Sequence, residues 1–226
     1  SLIETFQHFP KAGLVGAKLI YPDGRLQEAG GLIWRDASGT NCGRLGCPDH
    51  PDFNFAREVD YCSGAAIMIP NKLWNQLGGF DDRYAPAYYE DTDLAFAVRD
   101  LGYKVIYQPH SEVIHFEGVS CGTDLTQGVK AYQEKNREKF LKKWQTNLWE
   151  HSNTINHQNL FSRKINSQAL VVDQQTPTPD KDAGSLYSFN FIKILTEFFQ
   201  VNFLCSQDVN YQERYTQDME NLGVKV

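Results

Sequence analysis

No run of apolar residues in this chain approaches the roughly 20 needed to cross a bilayer as a helix, and no basic-then-apolar leader stands at its start. The chain is therefore expected to have no transmembrane segment and no export signal. Positive charge is in deficit: 22 Lys and Arg against 28 Asp and Glu leave a formal net charge of −6. That balance argues against nucleic acid, or an anionic membrane, as a bulk partner. Cysteine is scarce and unordered. Cys42, Cys47, Cys62, Cys121 and Cys205 are odd in number, with no C-x-x-C pair and no matching histidine spacing. This excludes a structural zinc site of ordinary spacing and points to a reducing, cytoplasmic compartment, with Cys42 and Cys47 as unrelated thiols. What remains is ordinary for a globular protein: 41% hydrophobic and 22% charged residues over a 226-residue length that suits one domain or two small ones.

The densest chemistry lies in Tyr88-Tyr89-Glu90-Asp91-Thr92-Asp93-Leu94, where three carboxylates fall within four residues. Leu94, Ala95, Val98 and Leu101 follow at helical spacing, and Gly102 is a natural stop. The carboxylates thus occupy a helix first turn, where free backbone N–H groups and the positive end of the dipole keep them ionised. A general base or a metal ligand would be well placed there. So would residues that merely cap and solvate the helix, which is the commoner role of acidic residues at such a position.

Along the chain, residues 1–9 have helical spacing without an evident cap. Residues 12–20 read as a strand, 21–24 as a turn and 25–34 as a returning strand. Residues 36–56, rich in Gly and Pro, read as an exposed loop in which His50 is solvated. Residues 59–70 carry small side chains at Gly64 and Ala65, which allow close approach of a ligand or of another backbone. A short helix over 71–77 ends at Gly78-Gly79. Beyond the acidic helix, 103–107 and 111–115 read as two strands, the second delivering His115 at its end, with His110 structural. Residues 130–149 form a basic amphipathic helix with Tyr132, Asn136, Phe140 and Trp144 recurring at four.

Several of these passages together resemble a known pattern. Gly78-Gly79-Phe80-Asp81-Asp82-Arg83-Tyr84, then Tyr88 to Leu94, then Gly102-Tyr103 and Val113-Ile114-His115-Phe116-Glu117-Gly118, resemble the catalytic half of inverting family 2 glycosyltransferases with a GT-A fold. The 13–31 hairpin and the 59–70 segment match passages of the same family. Arg99 stands two places later than the family's usual Arg. The resemblance implies transfer of a sugar from a nucleotide-sugar donor to a glycan or lipid-linked glycan acceptor, in polysaccharide biosynthesis at the inner face of the membrane. It implies Asp91 as base, with Glu90 as alternate or orienting partner, and a divalent metal, Mn²⁺ or Mg²⁺, with His115 as a ligand. Asp60, Ser63, Gly64, Ala65, Lys130 and Arg137 would contact substrate, while Asp93 would either do so or cap and brace the helix. The family's upstream D-x-D has no counterpart in residues 1–11, so the chain is expected to be a piece of a longer protein; Asp91-Thr92-Asp93 spells D-x-D but sits at the base position.

Residues 150–166 read as a polar linker. After it come a strand (169–173), a loop with Ser185 as helix cap, a helix (186–199), a strand (201–205), a helix (215–222) and the start of another strand. This β-α-β-α-β alternation is the opening of a second Rossmann-like domain and resembles the start of a GT-B-type glycosyltransferase. The expected fold is therefore α/β: an incomplete GT-A (Rossmann-like) catalytic half over 1–149, a linker, and the first units of a second domain over 167–226. Two other functions fit some of the residues. A retaining hydrolase needs two carboxyls across a sugar, which adjacent Glu90 and Asp91 would serve badly. A non-catalytic sugar-binding or scaffolding module is the other.

Overall fold

The computed structural model describes residues 1–116, 132–153, 167–207 and 210–226. The chain opens on α1 (Leu2–His8), and its first turn is capped after all. The Ser1 side chain accepts the Glu4 amide while the Glu4 side chain reaches back, a capping box that Ser-x-x-Glu spells out.

The central strand is β1 (Ala12–Ile20), buried along nearly its whole length because it has neighbours on both sides. It pairs antiparallel with β2 (Leu26–Glu28) at one end and with β6 (Ile67–Met68) further back, and parallel with β7 (Lys104–Ile114). The antiparallel β5 (Arg57–Glu58) flanks β7. Three expectations are corrected here. The strand over 25–34 is two: β3 (Gly31–Ile33) leaves the sheet to pair with β4 (Gly39–Asn41). The break is at Gly30, whose φ of +74° and 2.6 Å clearance between a hypothetical Cβ and Val59 Cγ1 both require glycine. The 103–107 and 111–115 strands are one, β7, which continues through Pro109 because its register against β1 jumps from Ala17↔Gln108 to Lys18↔Glu112. A proline without an N–H is tolerated in such a bulge. Finally, the 36–56 loop is partly structured. It holds β4 and a 3-10 turn over Pro51–Phe53, buries Cys42, Phe55 and Ala56, and is followed by Arg57, whose guanidinium donates to the Ala29 carbonyl at 2.7 Å.

Besides α1, whose Leu2 and Phe6 pack on Ala12, Val15 and Ile106, three more helices belong to this part. The first, α2 (Asn71–Leu77), ends on left-handed Gly78; α3 (Glu90–Asp100) buries Leu94, Ala95, Phe96 and Val98. Leu101, expected inward, lies past the end of α3 and is exposed. The last, α4 (Tyr132–Leu148), buries Asn136, Phe140, Trp144 and Leu148, the stripe at intervals of four that its sequence carries. Phe140 and Trp144 pack against Phe96, tying α4 to α3.

The last part has its own apolar cluster: Ile192, Val201, Phe203, Met219 and Val224. Here β8 (Gln168–Asp173) runs parallel to β9 (Gln200–Cys205), with α5 (Ala183–Leu195) between them, and α6 (Glu213–Asn221) leads to Lys225, which bridges Asn202 in parallel. The α5 cap is Asp182, which accepts the Ser185 amide, rather than Ser185 itself. Most of the expected linker lies outside the described residues, but His151 is buried, with Nδ1 2.7 Å from the Ile33 carbonyl oxygen, and belongs to the first part. The mixed α/β arrangement with its mixed sheet fits a Rossmann-like fold. No helix among the described residues is long and apolar enough to cross a membrane.

Candidate active site

The entry to α3 is built by an unusual backbone. Tyr88 and Tyr89 both have φ of +74°, the left-handed region that non-glycine residues enter at a cost of about 1–3 kcal/mol each. Asn136 of α4 holds them there: its Nδ2 donates to the carbonyls of Tyr84, Ala87 and Tyr88 at 2.8, 2.9 and 3.0 Å. The Tyr89 hydroxyl adds a 2.8 Å bond to the Ala37 carbonyl. Neither device was visible in the sequence, where Asn136 is one polar member of an apolar stripe and nothing marks two tyrosines as left-handed.

That turn delivers the carboxylates to three different environments. Asp91 Oδ2 accepts the Gly64 N–H at 2.8 Å, and Oδ1 accepts the Thr92 N–H at 2.7 Å and the Thr92 hydroxyl at 3.2 Å. Burial pushes the Asp91 carboxyl above the usual aspartate range, against the pull of these donors. Glu90 is also raised, by burial first and by Asp91 second, and its Oε2 has no hydrogen-bond partner among the described residues. Asp93 is different. It is 3% exposed and fully engaged, accepting the Tyr84 hydroxyl at 2.9 Å, the Trp144 indole N–H at 2.7 Å and the Lys143 ammonium at 2.8 Å. Asp93 thus braces α3 against α4.

Of the remaining candidates, Gly64 and Ala65 are exposed beside Asp91, and Ser63 is half-buried. The smallness of Gly64 has an internal cause: a Cβ there would lie 3.3 Å from Asp91 Cβ. Asp60 is buried at 4% exposure, accepting the Ile33 N–H at 2.8 Å with Arg99 Nη1 3.3 Å away. Asp60 is thus enclosed within the fold, with Arg99 beside it. Arg137 is paired with Glu134 at 3.1 Å and Asp36 at 3.6 Å on the rim. Lys130 lies outside the described residues. His115 Nδ1 stands 3.1 Å from Gln27 Oε1, and among the described residues no group of three His, Cys, Asp or Glu side chains is arranged to hold a metal ion.

One further carboxyl escaped the sequence analysis. Glu28 of β2 is 1% exposed, and its Oε1 accepts the Ser63 N–H at 2.8 Å. Burial pushes its pKa up to about 8, with Asp91 adding to the rise. An acidic residue between Gln27 and Ala29, in a run leading to two glycines, was the available signal. An acidic residue in a short strand otherwise reads as solvent-facing.

The sequence is similar to several known proteins, two of them named for sugar transfer or O-antigen synthesis. The chain is 28% identical over 141 residues to y4gI, an uncharacterised protein of Sinorhizobium fredii, a match over 61% of this chain and 16% of that protein. It is 27% identical over 145 residues to the N-acetylglucosaminyl-diphospho-decaprenol L-rhamnosyltransferase of Mycobacterium tuberculosis, covering 59% of this chain and 47% of the enzyme. It is 26% identical over 125 residues to the O-antigen biosynthesis protein RfbC of Myxococcus xanthus, covering 51% and 9%. The chain thus spans less than half the length of each of these relatives. No family model matches it.

Proposed function

We propose that this chain is part of an inverting, family 2-like glycosyltransferase of GT-A fold, which moves a sugar from a nucleotide-sugar donor to a hydroxyl of a glycan or lipid-linked glycan during cell-surface polysaccharide synthesis. The similarity to proteins named as a rhamnosyltransferase and an O-antigen biosynthesis protein supports the class. The observation that carries the mechanism is the Asp91 carboxylate, fixed by three donors at the start of α3 beside exposed Gly64 and Ala65, with burial raising its proton affinity. A base of raised pKa takes a proton more readily at neutral pH. In this reading the acceptor oxygen bonds to the anomeric carbon while its proton passes to Asp91. The bond from that carbon to the diphosphate breaks, and the nucleoside diphosphate leaves. One displacement inverts the centre and needs no covalent intermediate. Glu90, one residue earlier with an unbonded oxygen, is the alternate base or orienting group.

A divalent cation, Mn²⁺ or Mg²⁺, would stabilise the departing diphosphate. The described residues do not complete a site for it. His115 would contribute one ligand, and with Nδ1 turned to Gln27 the nitrogen for that role is Nε2. The same proposal has Arg137, Lys130 and the Ser63–Ala65 segment near the donor, and the protein working at the cytoplasmic face of a membrane. It divides the chain into a GT-A part over 1–149 and the opening of a second, GT-B-type unit over 167–226. The apolar cluster around Ile192, Val201 and Met219, separate from the two clusters within residues 1–149, supports that division.

The test is nucleotide-sugar turnover by the full-length polypeptide with Mn²⁺ or Mg²⁺, wild type against Asp91→Asn. A drop in kcat of about a hundredfold or more with the fold intact is expected. Unchanged turnover moves the base to Glu90. Glycan cleavage without any nucleotide sugar would overturn transfer in favour of hydrolysis, and sugar binding without turnover would leave a binding module.

A further inference from the structure

We propose that Glu28 is a positioning residue for Asp91, acting through the backbone of Ser63 and Gly64. The inference rests on the reading of Asp91 as the base. Two consecutive amides are divided between two carboxyls from different elements: Ser63 N–H donates to Glu28 Oε1 and Gly64 N–H donates to Asp91 Oδ2, each at 2.8 Å. The Ser63 N–H lies on the Cys62–Ser63 peptide plane and the Gly64 N–H on the next one, so with the first plane held by Glu28 only the φ and ψ of Ser63 remain to aim the second at Asp91. Gly64 lies close against Asp91, where a Cβ would stand 3.3 Å from Asp91 Cβ. Glu28 is itself immobile. It sits on β2, an outer strand of the sheet, opposite Leu19 of β1, with 1% of its surface exposed.

A second ionised carboxylate beside a general base would be a poor anchor, because like charges disfavour one another's ionisation. Glu28 avoids this at neutral pH by remaining protonated, its pKa raised to about 8 chiefly by burial. The charged and titratable groups that act on it or feel it are Asp91 from α3, Arg44 from the loop after β4, Tyr61 and Cys62 from the residues leading into Ser63, and Cys42. Of these, Asp91 raises the proton affinity of Glu28 and Arg44 lowers it. Glu28 thus holds the Ser63 amide without adding charge at pH 7. Above about pH 8 it ionises and presents a negative charge to Asp91.

The experiment compares wild type, Glu28→Gln and Glu28→Ala in the full-length polypeptide, by nuclear magnetic resonance of the Ser63 and Gly64 amides and the Glu28 carboxyl, and by kcat and donor KM across pH. The Glu28 carboxyl is expected to titrate near pH 8. Glu28→Ala is expected to shift the Gly64 amide and lower kcat about tenfold or more with donor KM little changed, because a base displaced by a fraction of an ångström loses its alignment. Glu28→Gln, which keeps the acceptor and cannot ionise, should recover most of that loss and remove the inflection in kcat near pH 8. A Gly64 amide and a kcat that stay put in both variants would overturn the proposal. If Glu28→Ala does not fold, the pH profile of Glu28→Gln decides: an alkaline inflection unchanged from wild type counts against it. A wild-type protein that turns over no nucleotide sugar defeats the transferase reading instead, and the Gly64 amide shift still tests whether Glu28 positions Asp91.

Discussion

Glu28, buried, and Asp91, half-buried, are two carboxyls whose proton affinities rise on folding, and that sets the sign of their effect on stability. Glu28 has an ordinary value of 4.5 in the unfolded chain and about 8 in the fold. Between those values the native state holds a proton that the unfolded state has released. Its contribution to stability is therefore fully present below pH 4.5 and is lost as pH rises through about 8. The slope is roughly 1.4 kcal/mol per pH unit for one proton. Denaturant unfolding at a series of pH values from 5 to 8 should show wild-type stability falling by about that slope and Glu28→Gln holding flatter. Asp91 acts with the same sign, over a range beginning at its ordinary 3.8. At this scale the sequence was half legible. Asp91 stood out because three acidic residues crowd one helical turn, whereas Glu28 gains its properties from strands and loops that close over it.

At the scale of elements, the join between α3 and α4 is what shapes the site. Asn136 spends its amide on three carbonyls of the 84–88 turn and accepts Lys139 with its oxygen at 2.8 Å. It thereby sustains two left-handed tyrosines at the threshold of α3. Asn136→Ala leaves those carbonyls without their donor and is expected to cost about 3 kcal/mol, measured as a lower denaturant midpoint. It should also lower kcat with little change in donor KM, since the strained turn relaxes and carries Glu90 and Asp91 with it. The apolar stripe of α4 was readable from its period. The assignment of Asn136 to a turn some 50 residues earlier was not, because no local pattern encodes a contact at that separation.

At the scale of the molecule, the C-terminal unit is fastened to the first through α6 and the strand start after it. The Glu220 carbonyl accepts the Ala56 N–H at 2.8 Å, His110 Nε2 stands 3.1 Å from Glu220 Oε2, Gln108 donates to Asn221 at 3.1 Å, and Lys225 pairs with Asp52. Residues of α6 and Lys225 thus meet β7 beside Pro109 and the 52–56 stretch. Glu220→Ala removes the carboxylate from the His110 and Tyr211 contacts and is expected to speed hydrogen exchange in α6 while β1 amides remain protected. Faster exchange in α6 and β1 alike would mean that the units open as one. His110 carried no readable sign of this contact, since its partner lies 110 residues onward.

What the sequence determined by itself was local: the period of α4, the 71–77 helix with its glycine stop, the acidic opening of α3 and the β-α-β-α order after residue 167. Each follows from hydrophobic spacing and backbone preference within a short window. Tertiary structure decided which carboxylates of the acidic turn remain available. Asp93 and Asp60 are consumed by Trp144, Lys143, Ile33 and Arg99, while Asp91 is left at an open edge with the amide of Gly64. The reason is physical. A carboxylate's role depends on the donors and the solvent around it, and in this protein those are supplied by residues distant in the chain.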